Sequence, residues 1–321
     1  MSCPQPRVSI IIPAYDAQAF VSRAIDSVLA QDWPDVEIVV VNDGSRDGTE
    51  SVCLEYGNRI RYISQGNAGV SAARNAGIAA AAGEFIGFLD ADDEWLPQAA
   101  RTLAELLMEF PTAGAASGAY IRRGTAGQTQ VPQAGQVLPA GQARGIVPRF
   151  FSAFARTYFA WTGCILVRRQ VMETVGTFRV GMHLGEDIEL WSRVAGRYDW
   201  AFTDKTVSVY NLYLGASGAL RKGQPPSPKS IYDDVQMRQL IRQQLWDDYR
   251  LYRRERVLTL GPAYLVYGAT SSLRELMSSA EPVVANRRWL LLALASRLPG
   301  WLARPIASTV LQVKVMVRRL R

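Results

Sequence analysis

The chain has 321 residues, of which 48% are hydrophobic and 20% are charged. This balance supplies enough apolar material for a folded core, and it excludes a disordered chain, a collagen-like repeat and a disulfide-held mini-protein. The net charge of +7 is unevenly distributed, because residues 1–220 carry −4 and residues 221–321 carry +11. We therefore expect an acidic globular body followed by a basic segment with a separate role.

Strand and helix patterns alternate through the first ninety residues. Residues 8–12 and 36–41 are runs rich in β-branched residues that end in turn formers, which is typical of buried parallel strands. Apolar residues at helical spacing predict a helix over 20–29, with Asp16 placed to cap its first turn. Four further elements follow: a short helix over 49–56, a strand over 60–64, a helix over 70–82 and a strand over 84–90. This order predicts an α/β fold, a Rossmann-like and mostly parallel sheet with helices on both faces.

Acidic residues follow directly on the last of these strands. Ligands of such sheets bind beyond the carboxyl ends of the strands, so the polar segments there should converge. These segments are 13–16, 42–45 and 90–93. Neighbouring carboxylates repel one another unless a cation neutralises them, and the spacing of Asp90 and Asp92 suits Mg²⁺ or Mn²⁺. Helix capping by Asp92 and Asp93 is the alternative.

The second half of the sequence changes character several times. Residues 122–145 are rich in Gly, Gln, Pro and Ala, and they predict either a mobile loop over or beside the site or a disordered insertion. A proline-rich break at 225–228 indicates a linker, after which residues 231–256 and 263–277 have helical patterns. Residues 305–320 predict a basic amphipathic helix. The apolar stretches there are far shorter than the ~20 residues of a membrane-spanning helix, so we expect no such anchor.

Four short motifs follow one another before residue 94. They are Ile-Ile-Ile-Pro-Ala-Tyr-Asp at 10–16, Val-Val-Asn-Asp-Gly-Ser-Arg-Asp-Gly-Thr at 40–49, Gly-Asn-Ala-Gly-Val-Ser-Ala-Ala-Arg-Asn-Ala-Gly at 66–77 and Phe-Leu-Asp-Ala-Asp-Asp at 88–93. Together they resemble the family-2 glycosyltransferases, which are nucleotide-sugar-dependent enzymes of GT-A fold. The resemblance covers residues 8–215. It implies a nucleotide-sugar-binding half at 1–115 and an acceptor-binding half at 116–220, followed by a basic helical extension at 221–321.

The resemblance implies a donor site for the nucleotide sugar, formed by Pro13, Ala14, Tyr15, Asp43, Arg74, Asp90 and Asp92. In this assignment Tyr15 offers an aromatic face to the base, and Asp43 accepts a hydrogen bond from a ring N–H of the base. Arg74 points at the ribose or the diphosphate, with an ordinary surface arginine as the alternative. Asp90 contacts the ribose and the metal, and Asp92 ligates the Mn²⁺ or Mg²⁺ that bridges the diphosphate.

The resemblance also assigns the reaction chemistry to a Glu-Asp pair. Asp187 would be the catalytic base that takes the proton of the acceptor hydroxyl, and Glu186 would lie at the acceptor. The alternative is structural, because acids in the first turn of a helix over 187–195 are favoured by the helix dipole. Trp161 is a candidate platform for stacking an acceptor sugar, with core packing as the alternative. Tyr213 occupies the position at which many relatives carry a histidine near the metal or the diphosphate.

We therefore expect an inverting transferase that moves a single sugar from a nucleotide-diphosphate sugar, UDP-linked, to a glycan or lipid-linked acceptor in surface polysaccharide assembly. The sequence has no QxxRW signature, no GxGxxG motif after a strand and no P-loop. These absences argue against a processive synthase, a dehydrogenase and an ATPase. A non-catalytic nucleotide-sugar-binding protein is the alternative function.

The cysteines and the basic segment indicate where in the cell the protein is located. Three dispersed cysteines favour a reducing, cytoplasmic compartment. The basic helical segment favours peripheral attachment to the anionic inner face of the membrane, with packing against the body or a partner as the alternative. Its aromatic residues alternate with aliphatic ones, which argues against nucleic acid as a partner. The sequence leaves the oligomeric state open.

Overall fold

The computed structural model of the protein describes residues 5–124, 127–132, 135–182, 185–212, 234–278, 280 and 286–303. Their contacts divide them into two compact units. The first unit draws on Met1–Gly181 and Leu190–Ala216, and the second on Met182–Glu189 and Ser217–Arg321. The sheet with the predicted donor site belongs to the first unit, and the C-terminal helices belong to the second.

In the described residues of the first unit, ten strands join into one sheet. They are β1 (Val8–Ala14), β2 (Val36–Asn42), β3 (Arg61–Ser64), β4 (Phe85–Phe88), β5 (Glu94–Trp95), β6 (Ala113–Gly124), β7 (Gly127–Val131), β8 (Arg144–Ile146), β9 (Ile165–Arg168) and β10 (Asp199–Asn211). Their order is β3-β2-β1-β4-β9-β6-β10-β5, with β7 beside β6 and β8 beside β10. The first four strands pair in parallel, whereas β9 runs antiparallel to both neighbours, so the sheet is mixed beyond β4.

Strand β1 lies at the centre of the parallel part. All seven of its residues are buried, which explains why its sequence is an almost continuous apolar run instead of an alternating one. Ala14 lies opposite Asn42 of β2, and Ile11 lies opposite Phe88 of β4. The carboxyl ends of these three strands therefore meet at one edge of the sheet, and the predicted α/β class is confirmed.

Helices connect the strands as the sequence predicted. The first seven are α1 (Val21–Leu29), α2 (Thr49–Leu54), α3 (Val70–Ala80), α4 (Ala99–Glu109), α5 (Phe150–Thr157), α6 (Arg169–Val175) and α7 (Glu186–Arg197). Every element expected before residue 90 is present, with ends that differ by at most two residues. Helix α3 packs so closely on β1 that a Cβ at Gly77 would overlap Cγ2 of Ile11.

The predicted capping of α1 by Asp16 is wrong. The helix begins after Phe20, which makes no side-chain cap. Asp16 adopts a left-handed backbone conformation with φ of 48°, and its Oδ1 accepts a hydrogen bond from the backbone N–H of Arg46 at 2.8 Å. The carboxylate therefore joins the turns after β1 and β2, because it lies too far before the helix to reach its first N–H groups.

The described residues of 122–145 include strand residues, which differs from the predicted mobile loop or disordered insertion. Strand β6 extends to Gly124 and pairs antiparallel with β7, and β8 pairs with β10. The side chains of β7 are mostly exposed and polar, so no apolar alternation marks it as a strand. Backbone pairing with β6, which no hydropathy pattern reports, decides its conformation.

The described part of the second unit is helical after residue 233. Its helices are α8 (Asp234–Leu240), α9 (Trp246–Val266), α10 (Thr270–Ser278) and α11 (Arg287–Ser296). The predicted helix over 231–256 is interrupted between α8 and α9, and Gly268, with φ of 70°, separates α9 from α10. Among the described residues, no helix combines the length and the apolar character that crossing a bilayer requires. The predicted linker at 225–228 and the helix at 305–320 lie outside the described residues.

The close approach of α3 to β1 gives a stability prediction. We expect Gly77→Ala to lower the free energy of unfolding by up to about 2 kcal/mol, because overpacking of its Cβ against Ile11 costs about 1–3 kcal/mol and the helix propensity of alanine returns about 1 kcal/mol. Gly66→Ala is the control, since no atom lies within 4 Å of its added Cβ. Urea unfolding of both variants checks the prediction, and equal stabilities would contradict it.

Candidate functional site

The turns after β1 and β2 form one hydrogen-bonded frame at the edge of the sheet. The backbone N–H of Asp43 donates to the carbonyl oxygen of Ala14 at 2.8 Å, and the N–H of Asp16 donates to Oγ of Ser45 at 3.0 Å. Gly44 has φ of 74°, and a Cβ there would lie 2.7 Å from the backbone nitrogen of Asn67. Only glycine fits this position without displacing the neighbouring loop.

Asp43 holds the loop that leads into α3. It is 4% exposed, and its Oδ1 accepts hydrogen bonds from Nε2 of Gln65 at 2.7 Å and from the N–H of Ala68 at 2.9 Å. Its Oδ2 accepts from the N–H of Gly69 at 2.8 Å. A carboxylate has about four acceptor positions, so roughly one remains for a ligand N–H.

The other predicted contacts to the base differ in accessibility. Tyr15 is 44% exposed, as an aromatic face that receives a ligand must be. Pro13 and Ala14 are buried within β1 and offer little side-chain surface. Their contribution is therefore the path of the backbone that presents Tyr15.

Arg74 is buried beneath the site. It is 4% exposed, and its Nη2 donates to Oδ1 of Asp90 at 2.7 Å. Its guanidinium also lies over the ring of Phe178, 5.2 Å from the centroid. The alternative of a surface arginine is wrong, because α3 turns this residue toward the sheet edge. The ion pair orients Asp90, whose side chain is one-third exposed.

The acidic segment after β4 is a tight turn. The N–H of Asp93 donates to the carbonyl oxygen of Asp90 at 3.0 Å. Asp92 is half-buried, whereas Asp93 is fully buried. Burial, followed by the charges of Asp90 and Asp92, raises the pKa of Asp93 well above its usual range. The capping alternative is wrong, since this turn leads into β5 and α4 begins later without a side-chain cap.

Three residues that no sequence motif indicates form hydrogen bonds to this turn. Asn211 donates from its backbone N–H to Oδ1 of Asp93 at 2.8 Å, and from Nδ2 to the carbonyl oxygen of Asp92 at 2.9 Å. Arg23 donates to the same carbonyl oxygen at 2.8 Å. Arg123 donates to Oε1 of Glu94 at 2.8 Å. The one sequence signal for Asn211 is a polar residue at the end of the mostly apolar strand segment 207–210 in β10.

Asp90 and Asp92 fit a divalent cation. Both offer hard oxygen ligands that solvent reaches, in a turn where negative charge accumulates. Among the described residues, no three His, Cys, Asp or Glu side chains could hold a metal by themselves. A cation at this turn would therefore take further oxygens from a bound ligand, as Mg²⁺ does with phosphates. Tyr213 lies outside the described residues, as does His183, the single histidine of the sequence.

Trp161 packs in an aromatic cluster beside the turn. It is 5% exposed, and its ring lies 5.0 Å from that of Tyr120 and 4.8 Å from that of Tyr210. This is the arrangement of the core-packing alternative. Burial, with the charges of Asp93, Asp90 and Asp92, raises the pKa of Tyr210 to about 12. Tyr210 therefore stands between the aromatic cluster and the acidic turn.

The predicted Glu-Asp pair begins α7. Glu186, Asp187 and Glu189 all lie in its first turn, and Oδ1 of Asp187 accepts from the N–H of Ile188 at 2.7 Å. Asp187 is half-buried, while Glu186 and Glu189 are buried. The helix predicted at this position is present, and its acids are placed where the dipole favours them. The roles of Asp187 as base and of Glu186 at the acceptor stay predictions.

Residues 9–176, just over half of the chain, match the model of Glycosyl transferase family 2. The chain belongs to this family. The match covers all four motifs and confirms the family that they predicted. It also includes the turns that join Asp43, Arg74 and the acidic segment at the sheet edge.

Curated relatives align with a short part of this family-2 chain. It is 48% identical over 91 residues to the uncharacterized glycosyltransferase EpsJ of Bacillus subtilis, an alignment that covers 27% of this chain and 26% of the relative. It is 39% identical over 108 residues to glycosyltransferase GlyA of Streptococcus pneumoniae, covering 32% of this chain and 15% of the relative. The chain thus matches about a quarter or less of the length of these relatives.

Solved structures share the fold over most of the chain. TarS residues 1–349 of S. aureus, in complex with UDP-GlcNAc, superpose with a TM-score of 0.59 at 18% identity, covering 89% of this chain and 79% of the other. The mannosyltransferase PcManGT of Pyrobaculum calidifontis, in complex with GDP-Man and Mn²⁺, gives 0.55 at 19% identity, covering 97% and 87%. These similarities confirm the GT-A fold that the motifs predicted.

The buried ion pair gives the second prediction. We expect Arg74→Gln to lower the free energy of unfolding by about 1–3 kcal/mol, a value reduced because Asp90 is partly exposed. Arg101→Gln is the matched control, since its pair with Asp32 lies on the surface, where both side chains are about 40% exposed. We expect no measurable change from it. Chemical unfolding compares the two variants, and equal losses would contradict a buried role for Arg74.

Proposed function

We propose that this chain transfers a single sugar from a nucleotide-diphosphate sugar, UDP-linked, to a hydroxyl of a glycan or lipid-linked acceptor in surface polysaccharide assembly. The observation that carries the proposal is the single frame at the sheet edge that joins Asp43, the Arg74–Asp90 pair and the turn with Asp92. The UDP-GlcNAc and GDP-Man complexes of TarS and PcManGT support a nucleotide sugar as the donor for a chain of this fold.

Each donor-site residue has a chemical task in this proposal. Tyr15 offers its exposed ring to the base, and the remaining acceptor position of Asp43 receives the ring N–H. A base without that N–H would leave the carboxylate position unpaired, so this contact gives selectivity. Asp90 takes the ribose hydroxyls while Arg74 fixes its orientation.

Asp90 and Asp92 would hold the divalent cation. When bound, Mn²⁺ or Mg²⁺ neutralises the negative charge of the departing nucleoside diphosphate. The protein supplies few cationic groups for that charge, because residues 1–220 carry a net charge of −4. The carboxylates of the turn therefore act as ligands for the cation and not as direct contacts to phosphate.

Asp187 acts as the base in the proposed reaction. An acceptor hydroxyl is a weak nucleophile until a carboxylate within hydrogen-bond reach removes its proton. The hydroxyl oxygen then forms a bond to the anomeric carbon while the bond to the diphosphate oxygen breaks, and the electron pair leaves with the diphosphate. Attack from the opposite side inverts the anomeric centre, and the proton ends on Asp187.

A cleft in the first unit suits the acceptor. It has a volume of about 290 Å³, and Arg122 and Arg156 line it with Thr129, Gln130, Gln136 and Thr157. Within the described ranges, no carboxylate forms an ion pair with either guanidinium. Arg122 lies opposite Tyr210 in the sheet, next to the strand end that supports the acidic turn. Two arginines in one cleft favour an acceptor that carries phosphate.

The location of the reaction follows from the charge of the C-terminal part. Residues 221–321 carry a net charge of +11, which favours the anionic cytoplasmic surface of a membrane, where a lipid-linked acceptor would be held. Burial raises the pKa of the Cys53 thiol to about 11. Cys53 is a buried cysteine of the core, and the proposed cytoplasmic location rests on the cysteine pattern of the sequence.

Replacement of the base tests the catalytic assignment. We expect Asp187→Asn to reduce transfer by about 10²–10⁴-fold, because the amide cannot accept the hydroxyl proton. Donor affinity should be unchanged by calorimetry with a UDP-sugar and Mn²⁺. Glu173→Gln, an exposed change on α6, is the control. Full activity of Asp187→Asn would refute the assignment, and donor binding without any turnover by the wild type would favour a non-catalytic binding protein.

The acceptor cleft gives a separate prediction. We expect the pair Arg122→Ala and Arg156→Ala to raise KM for a phosphate-bearing lipid acceptor roughly tenfold, while KM for the donor stays constant. Arg59→Ala removes a comparable exposed charge outside the cleft and serves as the control. Steady-state kinetics with each substrate varied in turn separates the two constants. A change confined to the donor would place the acceptor elsewhere.

A further inference from the structure

Helix α11 and the helical residues 300–303 after it expose apolar side chains to solvent. Leu294 is 62% exposed and Trp301 is 72% exposed. Three more leucines share this exposure, namely Leu290, Leu291 and Leu302. The opposite side of the same helix is also apolar, and it is buried through Trp289, Leu292 and Ala295. The helix therefore has an apolar outer face in addition to the face that packs in the second unit.

The exposed residues form one stripe. Leu290, Leu291 and Leu294 share one side of the helix by their spacing, and Trp301 and Leu302 are exposed shortly after the helix ends. Exposed single leucines are ordinary, but a contiguous apolar stripe on a surface helix marks an interaction surface. A helix that only faced water would carry polar residues there.

The charged residues next to the stripe in the sequence are arginines. Arg287, Arg288 and Arg297 are exposed beside it. From residue 282 to the end of the sequence there are eight Lys and Arg residues and no Asp or Glu. The partner of this surface is therefore both apolar and anionic.

We propose that the α11 stripe, meaning Leu290, Leu291, Leu294, Trp301 and Leu302, inserts into the interfacial layer of an anionic lipid bilayer. The leucines enter the upper acyl region, and Trp301 sits at the headgroup boundary, where its ring is apolar and its N–H reaches a polar group. The three arginines lie along the apolar surface and reach the lipid phosphates with their guanidinium groups. The inference deepens the proposed function, on which its biological role rests.

A second copy of the chain fits this surface less well. Pairing two stripes face to face would bring Arg287, Arg288 and Arg297 of both copies together, and the segment offers no carboxylate to neutralise them. Like charges across an interface oppose association. A bilayer that contains anionic lipid offers acyl chains to the leucines and phosphate groups to the arginines.

Vesicle sedimentation of the full chain tests the inference. One arm uses vesicles of phosphatidylcholine alone, and the other adds phosphatidylglycerol. We expect the wild type to bind the anionic vesicles and the double change Leu291→Ser and Leu294→Ser to lower its partition coefficient at least about tenfold. Trp301→Ala should lower it further in the same background.

A matched control separates the stripe from general surface hydrophobicity. Leu54 and Val180 are 57% and 61% exposed, close to the 55% and 62% of Leu291 and Leu294. Changing both of them to serine should leave vesicle binding intact. Equal binding of the stripe variant and the wild type, or no binding of the wild type to either vesicle, would overturn the inference. A dimer of the wild type that the stripe variant abolishes, in the absence of lipid, would also overturn it.

Solution assays keep this test independent of the proposed reaction. Donor hydrolysis by the stripe variant without vesicles should equal that of the wild type, because the stripe holds no donor-site residue. A wild type that binds vesicles and has no transferase activity would refute the proposed function, while the inference that the α11 stripe binds membranes would still hold.

Discussion

Repulsion among carboxylates is the physical constraint that shapes the candidate site. Four acidic side chains, Asp90, Asp92, Asp93 and Glu94, fall within five residues at the edge of the sheet. Their repulsion is strong where solvent is excluded, and it is one cause of the raised pKa of Asp93. The turn persists because groups from separate elements offset that charge, namely Arg74 of α3, Arg23 of α1, Arg123 of β6 and Asn211 of β10.

That constraint links the order of the strands to the chemistry. Strand β1 places the turns after β2 and β4 at one edge, and α3 crosses beneath that edge to bring Arg74 to Asp90. Gly77 lets α3 approach β1 closely enough for this contact. A cation that neutralised the remaining negative charge would also bind the diphosphate. The stability of the turn and the recognition of the donor would then depend on the same carboxylates.

Charge divides the sequence near residue 220, with a net charge of −4 in residues 1–220 and +11 in residues 221–321. In the proposed function, a metal ion would offset the charge of the anionic donor in the acidic part, and the basic C-terminal segment would contact lipid phosphate directly. The stripe on α11 adds apolar contact to that attraction, and each contribution alone gives weaker membrane binding than the two together.

Individual residues show how far the sequence could predict this arrangement. The strands and helices before residue 90 followed from apolar periodicity, and the family followed from four motifs, because both depend on local patterns. Arg74 shows what such patterns cannot predict. An arginine on a helix can lie on the surface or in the core, and the packing of α3 on the sheet decides between the two. Asp16 was given a local capping role, but its carboxylate bonds to a residue thirty positions away. Strand β7 has no apolar alternation and exists through its pairing with β6.

The sequence by itself determined the α/β order, the family, the uneven charge and the acidic turn, because each depends on residues that are close together in the chain. The tertiary structure alone decided that Asp43 binds the loop before α3, that Arg74 is buried against Asp90, and that Asn211 supports the turn. It also decided which side of α11 faces solvent. These contacts join residues far apart in the chain, and pairing across a sheet or between packed helices depends on the geometry of both partners.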